Sequence, residues 1–264
     1  MVLSNSNKPD WLHWLDSCPS TNTWAIAHLA NLQHGDVVFT PRQTAGRGQH
    51  GRTWYSPPGV LTASFILNQI PAAQLPEISL VAGLAVIYAV EDLLPDWRNV
   101  LRLKWPNDVL LDGRKLAGIL CEGRVQGASG QVVVGVGLNR CADFAQVAVE
   151  KSAIAHAVSL HQVSSMVPDE LLLLTRLRHY LLQTASVLRL EKTSTQENTG
   201  LSAFLPALHS RDALRDRHIT LDLGTEKVDG QAMGIDDRGC LLLRLPDGEL
   251  RAFTSGHVLY KDAR

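Results

Sequence analysis

Val109-Leu110-Leu111-Asp112-Gly113-Arg114-Lys115-Leu116-Ala117-Gly118-Ile119-Leu120-Cys121 decides the fold class. Two apolar runs flank Asp112-Gly113, a pair that tolerates the positive φ of a tight hairpin turn. Adjacent antiparallel strands over Val109–Leu111 and Lys115–Cys121 are expected. A further strand is expected at Gln131–Gly137, where Val132-Val133-Val134 implies burial on both faces. Three strands with no helix between them argue against a doubly wound parallel sheet. They favour an α+β chain with a mixed, largely antiparallel sheet.

Working upstream, Leu101–Lys104 reads as a short strand ending at Trp105-Pro106. Pro76–Leu94 reads as a helix, with Leu80, Leu84, Ile87 and Leu94 near one face. Asp36–Thr40 and Leu61–Leu67 read as strands, and Ser20 can cap a helix over Thr21–Ala30. Downstream, Pro168–Leu190 reads as a long amphipathic helix with Pro168 near its first turn. Glu191–Gly200 is a polar linker. Short strands then follow at His218–Leu223, Val228–Ile235, Cys240–Leu245 and Glu249–Thr254, with Asp237-Arg238-Gly239 and Asp247-Gly248 as turns. That is the pattern of a small all-β unit. The expected division is a catalytic-size domain over 1–210 and a β domain over 211–264.

The chain has 264 residues, 45% of them hydrophobic and 19% charged, enough to bury a sizeable core. With 25 basic and 26 acidic residues its net charge is −1, without the basic excess of a nucleic-acid binder. Cys18, Cys121, Cys141 and Cys240 fit no zinc spacing, and the ten histidines form no HExxH, so no metal site is expected. Met1–Asp10 is a polar tail without the apolar region of a signal peptide. The apolar run Ile78–Val90 is shorter than the ~20 residues that span a bilayer and reads as a buried helix. A cytoplasmic protein with reduced thiols, away from any membrane, is expected.

The densest motif is Gln43-Thr44-Ala45-Gly46-Arg47-Gly48-Gln49-His50-Gly51-Arg52-Thr53-Trp54. Gly46, Gly48 and Gly51 match GxGxxG formally. The helix of a dinucleotide fingerprint is missing, because Tyr55-Ser56-Pro57-Pro58-Gly59 follows, and no acidic residue lies between Asp36 and Glu77. Its glycines let backbone N–H groups approach an anion. Arg47 and Arg52 add guanidinium forks, and Trp54 offers a flat face. The loop suits a nucleotide-like anion. Lys104-Trp105-Pro106-Asn107-Asp108 sits between strands. Lys115 can reach a ligand from its strand, while Gly118, Gly135 and Gly137 leave space for one.

Taken in order, Ser20-Thr21-Asn22, the Gly46–Trp54 loop, Lys104–Asp108, Lys115–Leu120 and Gly135–Asn139 resemble the motif set of biotin–protein ligases. The end of the chain, with Gly234–Gly239 and Ser255-Gly256-His257-Val258, resembles that family's SH3-like domain. The resemblance runs from about Ser17 to Tyr260. It implies a catalytic domain similar to class II aminoacyl-tRNA synthetases, followed by an SH3-like β-barrel. It also implies an enzyme that activates biotin with Mg²⁺ and ATP as biotinyl-AMP. The biotin then passes to a lysine of a biotin carboxyl-carrier protein, that of acetyl-CoA carboxylase by family expectation.

By the same resemblance, Ser20, Thr21 and Gln43 serve the ureido and ring end of biotin, and Gly46, Gly118 and Gly135 line its slot. Arg47 and Lys115 meet carboxylate and phosphate. Gly48, Gln49, Arg52, Trp54 and Asn139 attend the nucleotide, with Trp54 stacked on adenine. Asp108 is the candidate for orienting or deprotonating the acceptor lysine, whose free pKa is ~10.4. Gln49 departs from the arginine common in bacterial members, which predicts looser retention of the adenylate. Only the sixteen residues before Ser17 precede the matching stretch, too few for the winged helix-turn-helix of some members, so no DNA-binding role is expected. Family members can pair as homodimers. The rival enzyme reading is a lipoate–protein ligase or octanoyltransferase; the rival from another class is a non-catalytic biotin sensor.

Overall fold

The structure, a computed structural model, describes residues 8–144, 156–189 and 200–260. The start of the expected tail and most of the expected 191–200 linker lie outside those residues.

A seven-stranded sheet is built from β1 (Leu12–Trp14), β2 (Val37–Thr40), β3 (Val60–Pro71), β4 (Arg102–Lys104), β5 (Asp108–Leu111), β6 (Arg114–Gln126) and β7 (Ser129–Asn139). Their spatial order is β1-β2-β3-β7-β6-β5-β4. Only the β1–β2 pair is parallel; every other neighbouring pair is antiparallel. The expected mixed, largely antiparallel sheet is present. The Asp112-Gly113 turn joins β5 to β6, both residues having positive φ. Asn107 stitches the same strands: its Nδ2 donates to the Ile119 carbonyl at 2.8 Å, and the Ile119 N–H donates back to the Asn107 carbonyl at 2.9 Å.

Strand alternation divides the core. Phe39, Phe65, Leu67, Val132 and Val134 belong to the main core on one face. Val38, Ile66 and Val133 join Ala25, Leu29 and Leu32 on the other. The expected two-sided burial of Val132-Val133-Val134 follows from this alternation. Helix α1 (Thr21–Ala27) covers the second face and is shorter than expected, the chain turning at His28 into a short 3-10 segment. Ser20 does cap it, accepting from the Thr23 N–H at 3.4 Å.

Helices α2 (Ile78–Leu93) and α3 (Glu170–Leu188) cover the first face. The run Ala72–Leu93 is long and apolar enough to cross a membrane, but 61% of its most apolar window is buried inside the fold, as expected of a core helix. Helix α3 begins two residues later than the sequence suggested. Asp169 is its N-cap, its carboxylate accepting from the Leu172 N–H at 2.8 Å, and Pro168 lies just outside.

After α4 (Leu205–Arg211) the small sheet follows: β8 (His218–Asp222), β9 (Lys227–Ile235), β10 (Leu241–Arg244), β11 (Leu250–Phe253) and β12 (His257–Tyr260), in the order β11-β10-β9-β8-β12. It is antiparallel throughout. Ile219, Leu221, Leu241, Leu243 and Val258 merge with the main core. Two side chains bond the sheets together. Trp105 Nε1 donates to the Gly239 carbonyl at 3.0 Å, and Lys104 Nζ to the Val258 carbonyl at 3.2 Å. A buried bidentate pair, Arg211 with Glu91 at 2.6 and 2.7 Å, ties α4 to α2.

Candidate active site

A cavity of about 960 Å³ opens on the α1 face of the large sheet. Its floor comes from register. Thr62 of β3 and Gly118 of β6 both pair with Gly137 of β7, while Ser64 and Leu120 both pair with Gly135. The two glycines of β7 make the floor concave, but the hollow is not empty. A Cβ on Gly137 would run into the Trp54 indole, and one on Gly135 into the Asn22 carboxamide. The space the sequence reserved for a ligand at these two positions is held here by these side chains.

The residues around 46–54 form a small hairpin. Trp54 N–H donates to the Gly46 carbonyl at 3.0 Å, Gly48 N–H to the Arg52 carbonyl at 2.7 Å, and Gln49–Gly51 makes the turn. The hairpin swings Trp54 back over Gly137 and Gly118. The indole Nε1 is buried and has no hydrogen-bond partner, a cost that a ligand acceptor would relieve.

At the inner end, a polar chain underlies the cavity. Gln43 Oε1 accepts from the Thr21 N–H at 3.0 Å, and Gln43 Nε2 donates to Ser56 at 3.3 Å. Ser64 Oγ lies 2.7 Å from Thr21 Oγ1 and 2.6 Å from Asn22 Oδ1. Ser20, Thr21, Asn22 and Ser64 are all buried. Such a row of fixed donors and acceptors can read a small polar head group on an apolar body.

At the outer end the charges gather. Lys115 Nζ sits 2.6 Å from Asp108 Oδ1, an ion-pair contact without hydrogen-bond alignment, and 5.3 Å from the Trp54 ring centre. The backbone of Lys115 is pinned: its carbonyl accepts from Asn139 Nδ2 at 3.0 Å and from the Val158 N–H at 3.0 Å. Burial pushes the Lys104 ammonium below its ordinary range; Asp108 opposes that shift, and Lys115 and Arg52 add to it. The small sheet completes the wall. Arg52 Nη1 donates to His257 Nδ1 at 2.8 Å. Burial first, then Arg52 and Lys104, push His257 down to about 4. Three cations and one carboxylate converging on one rim suit a ligand carrying several negative charges.

Of the residues singled out in the sequence, Ser20, Thr21, Gln43, Arg47, Gly48, Gln49, Arg52, Trp54, Asp108, Lys115, Gly118, Gly135 and Asn139 all line this one cavity. Gly46 lies behind it, packed under Trp54 and Gln43 at the base of the hairpin. Arg47 turns its guanidinium to Glu122 (2.8 and 3.2 Å). The sequence motifs include Asn22, Lys104 and His257 without assigning them a role, and they leave out Ser64 and Glu122. Glu122 was detectable from strand alternation, because Gly118, Leu120 and Glu122 share a face. The His257–Arg52 contact spans |i−j| = 205 and left no local signal.

Among the described residues no group of three or more His, Cys, Asp or Glu could hold a metal ion. All four cysteines are free; burial raises Cys18 and Cys240 above the ordinary range and pushes Cys121 up to about 12.

Residues 14–139 match the model of the biotin/lipoate A/B protein ligase family, and residues 216–259 match the biotin protein ligase C-terminal domain. The biotin--[acetyl-CoA-carboxylase] ligase of Paracoccus denitrificans is 34% identical over 233 residues, covering 87% of this chain and 92% of that protein. The bifunctional ligase/repressor BirA of Salmonella typhimurium is 33% identical over 249 residues, covering 92% of this chain and 72% of that protein. The Aquifex aeolicus biotin protein ligase, solved with biotin and ATP, superposes with a TM-score of 0.73 at 26% identity, over 94% of this chain and 97% of that one. The chain belongs to the biotin–protein ligase family.

Proposed function

We propose that this protein joins biotin to one lysine of a biotin carrier domain, through biotinyl-AMP. The observation that carries the proposal is the single cavity itself. Its polar inner end suits a ureido head, its floor is the β-sheet with Trp54 lying on it, and its outer rim gathers Arg52, Lys104 and Lys115. The similarity to a ligase solved with biotin and ATP supports the same substrates.

In the first step a biotin carboxylate oxygen attacks the α-phosphorus of ATP. A new O–P bond forms, the α–β bridging P–O bond breaks, and pyrophosphate leaves. Lys115, with Arg47 entering from the hairpin, neutralises the two anions as they meet. Gly48, Gln49, Arg52, Trp54 and Asn139 attend the nucleotide; Ser20, Thr21, Gln43, Gly118 and Gly135 hold biotin. Mg²⁺ fits this site as a cation carried in on the phosphates, since among the described residues only Asp108 offers a carboxylate to the cavity. When bound it would neutralise phosphate charge. In the second step the acceptor amine, having lost a proton, attacks the acyl carbon, and AMP leaves. To Asp108 we assign the task of orienting that amine or taking its proton.

The acceptor we propose is the carrier of acetyl-CoA carboxylase, a reading supported by the name of the Paracoccus relative. Residues 1–210 would form the catalytic domain and 211–264 the small domain. Four free cysteines fit a reducing cytoplasm. The test incubates the protein with biotin, Mg-ATP and a carrier domain and weighs the carrier by mass spectrometry. A biotin-sized gain that requires ATP and the target lysine is the expected result. A gain with lipoate or octanoate in place of biotin would overturn the substrate; binding of biotin without any transfer would overturn the activity.

A further inference from the structure

The carboxylate of Glu122 spends both oxygens on two different parts of the site. Oε1 accepts from Arg47 Nη2 at 2.8 Å. Oε2 accepts from Arg47 Nη1 at 3.2 Å and from Asn22 Nδ2 at 3.0 Å. Arg47 belongs to the glycine hairpin, and its Nη1 also reaches Thr23 Oγ1 of α1 at 3.4 Å. Asn22 belongs to α1 and fills the hollow over Gly135, with Oδ1 on Ser64 and Nδ2 also on the Leu120 carbonyl. We infer that Glu122 is a positioning residue for biotin binding and adenylate retention: it holds the hairpin down through Arg47 and sets the polar inner end through Asn22. The inference rests on the ligase reading above and names a residue of the same site.

The physical argument concerns orientation. A two-point contact between guanidinium and carboxylate fixes the plane of the arginine as well as its distance. Arg47 lies in the hairpin that carries Trp54, so its plane sets how closely the hairpin approaches β6. Among the described residues, Asn22 links Glu122 to the Ser64–Thr21–Gln43 chain. Glu122 thus couples the cover of the cavity to its inner end. Its side chain keeps 23% of its exposure and that of Arg47 keeps 49%, so solvent screening weakens the pair. The larger effect is expected on geometry.

The test compares wild type, Glu122→Gln and Arg47→Lys in full-length protein. Steady-state kinetics are measured separately for biotin and for ATP, the escape of biotinyl-AMP is timed, and hydrogen exchange is followed across residues 46–54 without ligand. Glu122→Gln is expected to raise the KM for biotin and the adenylate escape rate about five- to tenfold, given one charged contact at a half-exposed position. The KM for ATP should stay within about twofold, and exchange in the hairpin should quicken. Arg47→Lys keeps the charge but loses the fork, so it should quicken the same exchange, and the double variant should be no worse than the worse single. An unchanged biotin KM and escape rate in folded Glu122→Gln would overturn the inference. So would equal rises in both KM values, which mark general loosening, or additive effects in the double variant. If Glu122→Gln fails to fold, Arg47→Lys decides through hairpin exchange in the free protein, where no substrate contacts Arg47, and unchanged exchange there would overturn the inference. A wild type that neither binds biotin nor forms adenylate would overturn the ligase reading instead. The exchange of residues 46–54 in the free protein would still report whether Glu122 holds the hairpin.

Discussion

Lys115 and Asp108 face each other at 2.6 Å from neighbouring strands, and the lysine ammonium also lies 5.3 Å from the centre of the Trp54 ring. The lysine is therefore held before any substrate arrives, its charge partly neutralised by a carboxylate that two incoming anions must outcompete. Lys115→Gln should slow adenylate formation by about 10²- to 10³-fold, the usual loss for one donor aimed at developing charge. Single-turnover release of pyrophosphate measures it. Asp108→Asn separates two duties. If Asp108 serves the acceptor amine, transfer from preformed biotinyl-AMP should fall about tenfold or more while adenylate formation changes less. An equal fall in both steps would mean that Asp108 only holds Lys115.

Gly137 has no room for a side chain because the Trp54 indole lies on it. Gly137→Ala should therefore lift Trp54 off the sheet and weaken biotin binding about tenfold or more, in line with the cost of overpacking. Calorimetric titration with biotin gives the affinity. A variant that binds biotin normally would mean that the indole moves away without consequence.

The Arg52–His257 contact requires an unprotonated Nδ1 on His257. Burial, Arg52 and Lys104 depress this group to about 4, against the attraction of Asp108 and Asp222. The sign follows. The folded protein resists protonation, so the contribution of the contact is complete above the ordinary histidine value of about 6.5. It fades as pH falls from there towards 4. That window belongs to stability; adenylate escape, a property of the folded protein, should accelerate only as pH approaches 4 in wild type and run faster, with a flatter pH profile, in His257→Leu. A parallel profile in the two proteins would remove His257 from the account.

Arg211 and Glu91 are buried together, with side-chain exposures of 9% and 8%. Breaking such a pair from one side leaves a buried charge without compensation, at a cost of roughly 3–5 kcal/mol. Arg211→Met should lower the urea midpoint accordingly, and restoring much of the loss with Glu91→Leu in the same chain would show that the stranded carboxylate was the cause.

Gln49 opens the hairpin turn and lines the cavity beside Arg52. Gln49→Arg should slow escape of biotinyl-AMP about tenfold, as a third guanidinium adds a charge-assisted contact to the phosphate. An unchanged or faster escape rate would show that the neutral side chain is not what sets retention here.

How much of this was legible in the sequence depended on the range of the interaction involved. Asp112-Gly113 announced the β5–β6 hairpin because a two-residue turn needs only its own backbone preferences. Val132-Val133-Val134 announced a doubly covered strand because alternation is local. Leu12–Trp14 gave no such sign: three residues pair in parallel with Val37–Phe39 across some twenty-five positions. Pro168 misplaced the start of α3 because Asp169 is the better cap, its carboxylate reaching an amide three residues on. In the site, the residues that touch the cavity were readable from their chemical type. Those that orient them were harder to see. Asn22 acts by filling the space left by a glycine 113 positions away, and His257 acts from a different sheet. Neither relationship exists until the chain has folded.

The wall that β12 lends to the cavity has one more consequence. Lys104, Trp105 and Arg52 all reach across to the small sheet, so the rim on which the phosphates would rest is shared between the two sheets. On warming, loosening of these three links is expected to silence the molecule before the core that both sheets share melts. Heat should abolish turnover at temperatures where the far-ultraviolet ellipticity is still native. The gap between the two curves would measure how firmly Gly239 and Val258 hold their partners.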